Sequence, residues 1–310
     1  MSKFNEYNSD FFTKGFLDLN LDDICKELKD KGYFAFPKAI NSDAISNIHK
    51  EATKNRINFN KNEITGVYAE KQYYLTNLLS VSKTFYDFVT SNFVFDVCKN
   101  YLGNEFRLKA LRYYETFGGH HMQWHTDNKT DRDFAKIPGI IFIIYVSDVE
   151  DGEFQYIEGS HLWSGEKAYN NYDDDLIQKK YKDKIKSFKY PKGSLILYNT
   201  YGIHRAKPVT DKNFLRKSVF FQVDTEIKNS EPIILNTKFI STINNDIKML
   251  FGFGKPSNYK VHPYTSIKSL PLSYKVIRVF LKYLIYRFSK GIYYLAPISL
   301  RNFINKVIRK

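Results

Sequence analysis

The sequence predicts an α+β protein whose core is an antiparallel sandwich or barrel. Segments with helical periodicity come first, and short segments rich in aromatic and β-branched residues follow from residue 106 onward. Helices followed by runs of strands are typical of α+β folds, and many short strands separated by Gly, Asp, Asn and Pro indicate a sandwich or barrel. A polar insert at residues 165–190 interrupts the strands and could be a surface excursion or a lid over the barrel mouth.

Local signals mark the boundaries of the predicted elements. Asn20 can cap the first helix, and Gly32 can end it. Asn41 or Ser42 caps the second helix, and Gly103 stops a third, buried helix. The predicted helices cover residues 21–30, 42–54 and 82–103. The predicted strands cover residues 33–37, 106–117, 122–127, 139–149, 153–158, 194–199 and 215–223.

Charge divides the chain into a body of residues 1–246 and a tail of residues 247–310. The chain carries a net charge of +14, and the tail holds 13 Lys and Arg residues without any Asp or Glu. The body is therefore almost neutral, with a net charge of +1. A lysine-rich genome would explain the lysines but not the missing acids. The asymmetry predicts an anionic partner, either a membrane surface or a nucleic acid.

Most of the tail, residues 273–310, is predicted to form two amphipathic helices. At helical spacing, residues 275–290 place basic side chains on one face and apolar side chains on the other. Gly291 is expected to end this helix, and Pro297 to open a second one over residues 298–310. Such helices bind anionic membrane interfaces, or they pack on the body or on a second subunit. Their high apolar content argues against nucleic acid.

The sequence shows no sign of export or of membrane insertion. The N-terminus is polar, and no stretch reaches the roughly 18 uncharged apolar residues of a spanning helix. The two cysteines, Cys25 and Cys98, are too few for a disulfide framework and suit a reducing compartment. We therefore expect a cytoplasmic protein, with peripheral attachment to the inner face of the membrane as the alternative that the tail suggests. The oligomeric state is not indicated.

The strongest chemical pattern is His125-Thr126-Asp127 in a predicted strand. Side chains at i and i+2 of a strand point to the same face, so His125 and Asp127 can offer a nitrogen and an oxygen to one ion. His204, just after a later strand, is a candidate third ligand. Two His and one carboxylate on one face of an octahedron are the ligand set of non-haem Fe(II) oxygenases, which leaves positions open for a cosubstrate and O2.

A basic residue accompanies this pattern twelve residues after His204. Arg216, Ser218 and Phe220 share one face of the next predicted strand. An arginine that points into a barrel is unfavourable unless it is paired, and a dicarboxylate could pair it through a bidentate contact. The alternative is a surface arginine at a strand end.

Three other histidines compete for a role. His120 and His121 lie close to the His-x-Asp pattern and could belong to a three-histidine cupin site; we expect His121 instead to line the mouth of the barrel or to have no role. His161 follows Ser160 in a turn, where its ring is expected to bond the backbone. His204 is preferred as the ligand because the strand after it supplies Arg216.

The blocks around these residues resemble the phytanoyl-CoA dioxygenase family. The resemblance covers about residues 20–225, in the family's order and spacing. Residues 158–165, EGSHLWSG, are similar to the family's Gly-Ser-His turn, with Glu158 where proline is usual. Residues 21–37 are similar to the segment that opens the family's domain. The other matching blocks are His125-Thr126-Asp127, residues 152–161, residues 192–198, His204-Arg205 and Arg216.

The resemblance implies a fold and a cofactor set. The fold would be a double-stranded β-helix, the jelly roll of cupin-like proteins, flanked by the N-terminal helices and followed by the basic helical tail. The metal would be Fe(II), bound by His125, Asp127 and His204. The cosubstrate would be 2-oxoglutarate, with its far carboxylate held by Arg216. His161 would be structural or substrate-facing and not a ligand.

One position departs from the family pattern. Ala206 stands where many members carry a small hydroxyl residue that helps to hold the carboxylate of 2-oxoglutarate. We expect Ser218, Thr200 or a barrel tyrosine to supply that contact instead. Asp127 favours hydroxylation, because halogenases of the superfamily replace this carboxylate by a small residue.

The resulting prediction is an oxidoreductase: an Fe(II)- and 2-oxoglutarate-dependent dioxygenase. It would hydroxylate a small-molecule or lipid-linked substrate and release succinate and CO2. Desaturation, epoxidation and demethylation are open alternatives within the same chemistry. A different class of function is a non-catalytic jelly roll that binds a ligand or associates with a membrane. Such a protein is expected to have lost a metal ligand, whereas this chain keeps all three.

Overall fold

The computed structural model describes residues 10–54, 58–60, 63–64, 67–69, 72–75, 78–118, 122–127, 139–163, 172–226, 230–231, 233–257 and 274–308. In these ranges the chain is a mixed fold of α-helices and antiparallel sheets. The helices are α1 (Lys14–Leu17), α2 (Leu21–Asp30), α3 (Ser42–Thr53), α4 (Leu78–Val81), α5 (Lys83–Val89), α6 (Asn92–Leu102), α7 (Asp174–Tyr181), α8 (Asn245–Leu250), α9 (Tyr274–Leu295) and α10 (Ile298–Ile308). The strands are β1 (Tyr33–Phe36), β2 (Asn58–Asn60), β3 (Glu63–Ile64), β4 (Val67–Ala69), β5 (Gln72–Leu75), β6 (Arg107–Phe117), β7 (Gly139–Tyr145), β8 (Phe154–Ile157), β9 (Ile185–Phe188), β10 (Leu195–Asn199), β11 (His204–Ala206) and β12 (Leu215–Asp224).

Two antiparallel sheets form the body. The larger has seven strands in the order β1-β10-β7-β12-β6-β5-β4, and the smaller has three in the order β11-β8-β9. Strand β7 is an interior strand of the larger sheet, between β10 and β12. All seven of its residues are buried, because both of its faces are covered. This explains why the sequence GIIFIIY shows no alternation between apolar and polar residues.

The two faces of the larger sheet have different partners. Ile143 and Tyr145 of β7 lie in one apolar cluster with Phe154 of the smaller sheet. Phe142, on the opposite face of β7, stacks on Phe221 with ring centroids 4.5 Å apart, and both belong to the cluster that includes the N-terminal helices. The larger sheet is therefore a middle layer, with helices on one face and the smaller sheet on the other. Residues of both sheets line a cavity between them that contains the candidate site residues.

The predicted helix over residues 82–103 is two helices, α5 and α6, with a break at Thr90 and Ser91. The Ser91 hydroxyl accepts a hydrogen bond from the Val94 amide at 3.4 Å and caps α6. The Thr90 hydroxyl donates to the Tyr86 carbonyl at 2.8 Å. The break follows because short hydroxyl side chains bond the backbone groups that a continuous helix would use.

Two other segments differ from their predicted form. Residues 122–127 form isolated bridges at Trp124 and His125 instead of a regular strand. The described part of the 165–190 insert is more than a surface excursion, because it contributes helix α7 and strand β9 to the body. Ile177 of α7 is buried against Trp124 and the smaller sheet. The insert contains apolar residues such as Ile177, and packing against the body is what removes them from water.

The packing of the body continues past Asp246, the boundary that the charge pattern suggested. Helix α8 buries Leu250, and Phe251 joins the same apolar cluster as the N-terminal helices. Arg107 of β6 donates from Nη1 to the Pro256 carbonyl at 2.9 Å. Residues 247–257 therefore pack with the body, because they cover part of its apolar surface.

Helix α9 passes through Gly291, where the sequence predicted its end, and continues to Leu295. Gly291 has no positive φ, so the left-handed conformation that ends many helices at glycine is not formed there. Pro297 precedes α10, as expected from the sequence. None of the helices described here, α9 included, has enough uninterrupted apolar sequence to cross a bilayer.

Candidate metal centre

The two candidate histidine ligands come together through their backbones. His125 and His204 form an antiparallel bridge, with N–H···O=C distances of 3.0 Å from His125 to His204 and 2.9 Å in return. The ring centroids lie 4.4 Å apart. Residues directly opposite each other in an antiparallel pair project to the same side, so the backbone pairing places both rings at one site.

Each imidazole is held by the backbone two residues before it. Nδ1 of His125 lies 2.8 Å from the Gln123 carbonyl oxygen, and Nδ1 of His204 lies 3.0 Å from the Gly202 carbonyl oxygen. A carbonyl can only accept, so Nδ1 carries the proton in both rings and Nε2 keeps a free lone pair. This is the usual outer contact of a metal-binding histidine.

Asp127 completes the group. One ligand atom from each of His125, Asp127 and His204 can be chosen so that all three lie within 4.8 Å of one another. Oδ2 of Asp127 is 3.2 Å from Nε2 of His204. Burial lowers the pKa of His204 to about 4, against the opposing effect of Asp127, so the ring is neutral at physiological pH. A neutral imidazole is the form that binds a metal ion.

The donor set fits a divalent transition metal. Two imidazole nitrogens and one carboxylate oxygen within 4.8 Å of one another are the ligand set of non-haem Fe(II) sites. The same three residues would leave the cavity side of an ion open. His125 and Asp127 are half-buried and His204 is buried, so the site is shielded but reachable.

A cavity of about 150 Å³ opens in front of these three residues. Arg216 of β12 lies in its wall and is 7% exposed. Its Nη1 donates to the Gly152 carbonyl and its Nη2 to the Thr116 hydroxyl at 3.4 Å, while its Nε is buried without a partner. Within the described ranges no carboxylate forms an ion pair with it. Burial lowers the pKa of this guanidinium, the effect expected for a cation removed from water.

The structure also places the other residues proposed for the cosubstrate. Ser218 and Phe220 lie in the cavity wall with Arg216, as expected for alternate residues on one strand face. Ala206 lines the same cavity. Thr200 does not line it, and its hydroxyl lies 3.4 Å from the Gly139 carbonyl. Of the candidates for a second carboxylate contact, Ser218 and the cavity tyrosines are therefore in position. Those tyrosines are Tyr114, Tyr145 and Tyr198.

The other histidines are away from the cavity or outside the described residues. His161 is buried, and its Nε2 lies 2.9 Å from the Lys29 carbonyl oxygen, a contact that ties the Gly-Ser-His turn to α2. It does not line the cavity. His120 and His121 lie outside the described residues, so the expected place of His121 at the mouth stays a prediction.

Tyr198 is a residue of the site that sequence reasoning missed. Its hydroxyl donates to Oδ2 of Asp127 at 3.1 Å and lies 3.3 Å from Nε2 of His204. It therefore contacts two of the three candidate ligands. The sequence pattern that could have identified Tyr198 is the strand alternation in SLILYN, which puts Tyr198 on the same face as Ile196. In the structure this face points towards the smaller sheet.

Comparison with known proteins identifies a matching family and similar folds. The family model for phytanoyl-CoA dioxygenase (PhyH) matches residues 28–218. No functionally curated protein matches the chain significantly.

Among solved structures, the chain is similar to HygX from Streptomyces hygroscopicus with nickel and 2-oxoglutarate bound. The TM-score is 0.53 at 14% sequence identity, over 74% of this chain and 94% of that one. It is also similar to SnoK, a non-haem α-ketoglutarate-dependent carbocyclase from nogalamycin biosynthesis. That TM-score is 0.50 at 13% identity, over 67% of this chain and 85% of the other. At such identities the likeness concerns the fold.

Proposed function

The chain belongs to the phytanoyl-CoA dioxygenase family, and on that basis we propose that it hydroxylates a small-molecule or lipid-linked substrate. It is an Fe(II)- and 2-oxoglutarate-dependent dioxygenase. The observation that carries the dependence on 2-oxoglutarate is the buried Arg216, which forms no ion pair with a carboxylate among the described residues and shares its cavity with the His-Asp-His group. The sandwich of two antiparallel sheets would be the jelly roll that the resemblance implies.

His125, Asp127 and His204 would hold Fe(II). The carbonyl contacts of the two Nδ1 atoms keep each Nε2 aimed at the same point. The Tyr198 hydroxyl, bonded to Asp127, would fix which carboxylate oxygen faces the ion. These contacts would hold the donor atoms in the orientation that a bound ion needs.

Arg216 would bind the far carboxylate of 2-oxoglutarate. Its guanidinium is already desolvated, so a carboxylate placed against it gains a charge-assisted contact in a site of low dielectric constant. Ser218, two residues along the same strand face, supports the second contact in place of the hydroxyl missing at Ala206. The cosubstrate would then reach from Arg216 to the metal side of the cavity.

The remaining wall of the cavity is suited to an apolar reacting carbon. Its side chains include Met122, Ile143, Phe154 and Phe220. These side chains offer no acid or base, which agrees with a reaction that needs no side-chain proton transfer. Bound Fe(II) would supply O2 activation coupled to the decarboxylation of 2-oxoglutarate to succinate and CO2.

The test is substrate-dependent turnover of the Fe(II)-loaded protein. Purified protein is incubated with 2-oxoglutarate and O2 against small-molecule pools and lipid extracts, and succinate release is measured beside product mass. We expect one pool to raise succinate release and to yield a product heavier by one oxygen atom. The Arg216→Ala variant under the same conditions is the control for release that does not pass through this site.

The alternative function makes a different prediction. A non-catalytic jelly roll would bind ligands from the same pools without succinate release above the Arg216→Ala level. Succinate release without an oxygenated product would instead indicate desaturation or another outcome of the same chemistry. The three results are separated by measuring ligand binding, succinate and product mass in one experiment.

A further inference from the structure

The tail helices present an apolar face that the described part of the body does not cover. Apolar residues recur along α9 at the spacing of one helix face and are 42% to 73% exposed. They are Ile277, Phe280, Leu281, Leu284, Ile285 and Phe288. Because α9 continues through Gly291, Ile292 and Leu295 extend the same face, at 54% and 87% exposure. Such a length of exposed apolar helix indicates a surface that is covered by something else.

The opposite face of α9 is basic and lacks counter-charges. Arg278, Lys282, Arg287 and Lys290 are all exposed. Helices that simply face water usually carry both signs of charge at i, i+4 spacing, whereas residues 247–310 contain no Asp or Glu. The cations of this face therefore have no acidic partner within their own helix.

Aromatic side chains accompany the basic ones. The Nζ of Lys290 lies 5.8 Å from the ring centre of Tyr286 and 6.0 Å from that of Tyr294. Tyrosine places an apolar ring and a polar hydroxyl at the boundary between lipid and water, and lysine extends its charge outward from the same boundary. At helical spacing these tyrosines share the basic face of α9, so the helix has one apolar face and one face of basic and tyrosine side chains, which is typical of an interfacial helix.

We propose that α9 and α10 form a docking surface for an anionic lipid bilayer and lie flat in its interface. The apolar face would enter the boundary between headgroups and acyl chains, and the basic face would lie among anionic headgroups. Neither helix needs to span the bilayer, in agreement with its apolar length. The inference is independent of the proposed oxygenase activity, because none of the described residues that line the cavity belongs to the tail.

Other occupants agree less well with the observations. Nucleic acid would neutralise the basic face but would leave the apolar face in water. A second copy of the chain could cover the apolar face, but it would bring together two tails that each carry 13 positive charges and no acids. An anionic lipid bilayer would bury the apolar face and neutralise the charges of the basic face.

The first experiment measures binding of the full-length protein to vesicles. We expect sedimentation with vesicles of phosphatidylcholine and phosphatidylglycerol, and much less with phosphatidylcholine alone. A variant in which Arg278, Lys282, Arg287 and Lys290 are all changed to Gln should have a partition coefficient into anionic vesicles that is lower by about tenfold or more. The reason is that each basic residue near an anionic surface raises the affinity about fivefold. The matched control changes the exposed body lysines Lys179, Lys180, Lys182 and Lys189 to Gln and should bind like wild type.

A second experiment reports which face of α9 enters the lipid. Cys25 and Cys98 are buried, so a new surface cysteine can be labelled selectively with a polarity-sensitive fluorophore. The probe on a Phe288→Cys variant should move to an apolar environment on vesicle addition. The probe on a Lys290→Cys variant, on the opposite face, should change little.

Three results would overturn the proposal. One is equal partitioning of wild type and the four-charge tail variant into anionic vesicles. Another is an equal response of the probes at positions 288 and 290. The third is a dimer in lipid-free solution that Phe288→Gln abolishes and that vesicles do not dissociate, because the apolar face would then be covered by a second copy.

Discussion

The guanidinium of Arg205 lies 4.3 Å from the centre of the Trp124 ring. Each residue is the immediate neighbour of a candidate metal ligand, Trp124 of His125 and Arg205 of His204. Asp174 of α7 joins them, accepting from Nε1 of Trp124 and from Nη1 of Arg205, both at 2.9 Å. The contact between Arg205 and Trp124 therefore links the two backbone segments that carry the histidines. Asp174 of α7 stabilises this contact because it bonds both side chains.

We expect Arg205→Lys to weaken Fe(II) binding without unfolding the body. Lysine keeps the charge but loses the planar stack on Trp124 and the 2.8 Å bond from Nε to Gln155. Loss of such outer contacts typically weakens metal affinity about 10- to 100-fold. The measurement is an anaerobic Fe(II) titration beside thermal unfolding of the metal-free protein. Unchanged Fe(II) affinity would show that the backbone bridge alone positions the histidines.

Replacing any of the three ligands should remove the metal site. For His125→Ala, Asp127→Ala and His204→Ala we expect a loss of Fe(II) affinity of about 100-fold or more and no turnover, since each would supply one of the three candidate donors found among the described residues. His161→Gln is the control, because its ring contacts the Lys29 carbonyl and not the cavity. Full iron content in the His204 variant, with loss in the His161 variant, would reverse the ligand assignment.

Arg216→Ala should weaken 2-oxoglutarate binding and leave iron bound. Loss of a charge-assisted pair in a closed site costs about 2–5 kcal/mol, so the affinity should fall at least about 30-fold. The absorption of the Fe(II)–2-oxoglutarate complex reports this affinity directly. Lys217→Ala is a matched control from the other face of β12, where its Nζ lies 3.3 Å from Nε2 of His49. Equal affinities in the two variants would exclude Arg216 as the carboxylate site.

Gly202→Ala should disturb the turn that carries His204. A Cβ at this position would lie 1.7 Å from the Tyr156 hydroxyl and 2.0 Å from its ring carbon Cζ, so the turn or the ring must move. Overpacking of this kind typically costs about 1–3 kcal/mol. Urea unfolding and Fe(II) affinity should both fall, and Tyr156→Phe should not restore them because the ring carbon still collides. Gly15→Ala, whose Cβ would meet only Phe36 at 3.9 Å, is the control.

Asp224 should make the stability of the body depend on pH. Burial raises the pKa of Asp224 to about 6. The charge of Lys109, whose Nζ is 3.8 Å away, and the hydrogen bond from the Glu226 amide oppose this rise, and the Glu226 carboxylate adds to it. Because the folded pKa lies above the ordinary value of 3.8, the folded state holds the proton more tightly, and this stabilisation is lost as the pH rises through about 6.

Asp224→Asn removes this titration. In urea unfolding, its stability relative to wild type should grow by about 1 kcal/mol between pH 5 and pH 8. A difference between the two proteins that is constant over this range would contradict the assignment to Asp224.

Prediction from the sequence worked best where the signal was local. Helix α2 begins after Asn20, whose side chain accepts from the Asp22 amide at 3.0 Å, as its N-cap position indicates. The alternation of Arg216 and Ser218 placed both on one face of β12 without knowledge of the partner strands. Such signals depend on backbone periodicity and on capping groups a few residues away, and both are present in the sequence itself.

The sequence by itself determined which residues are candidate ligands, the strand face of Arg216 and the basic, acid-free tail. Only the tertiary structure decided that His125 pairs with His204, that Tyr198 reaches Asp127 and that α7 closes on Trp124. These contacts join residues far apart in the chain, and their geometry depends on strand register and packing across two sheets. A change of one residue in the pairing register of two strands would turn a side chain to the opposite face of the sheet. The register cannot be read from the local sequence, because it depends on the partner strand and on packing.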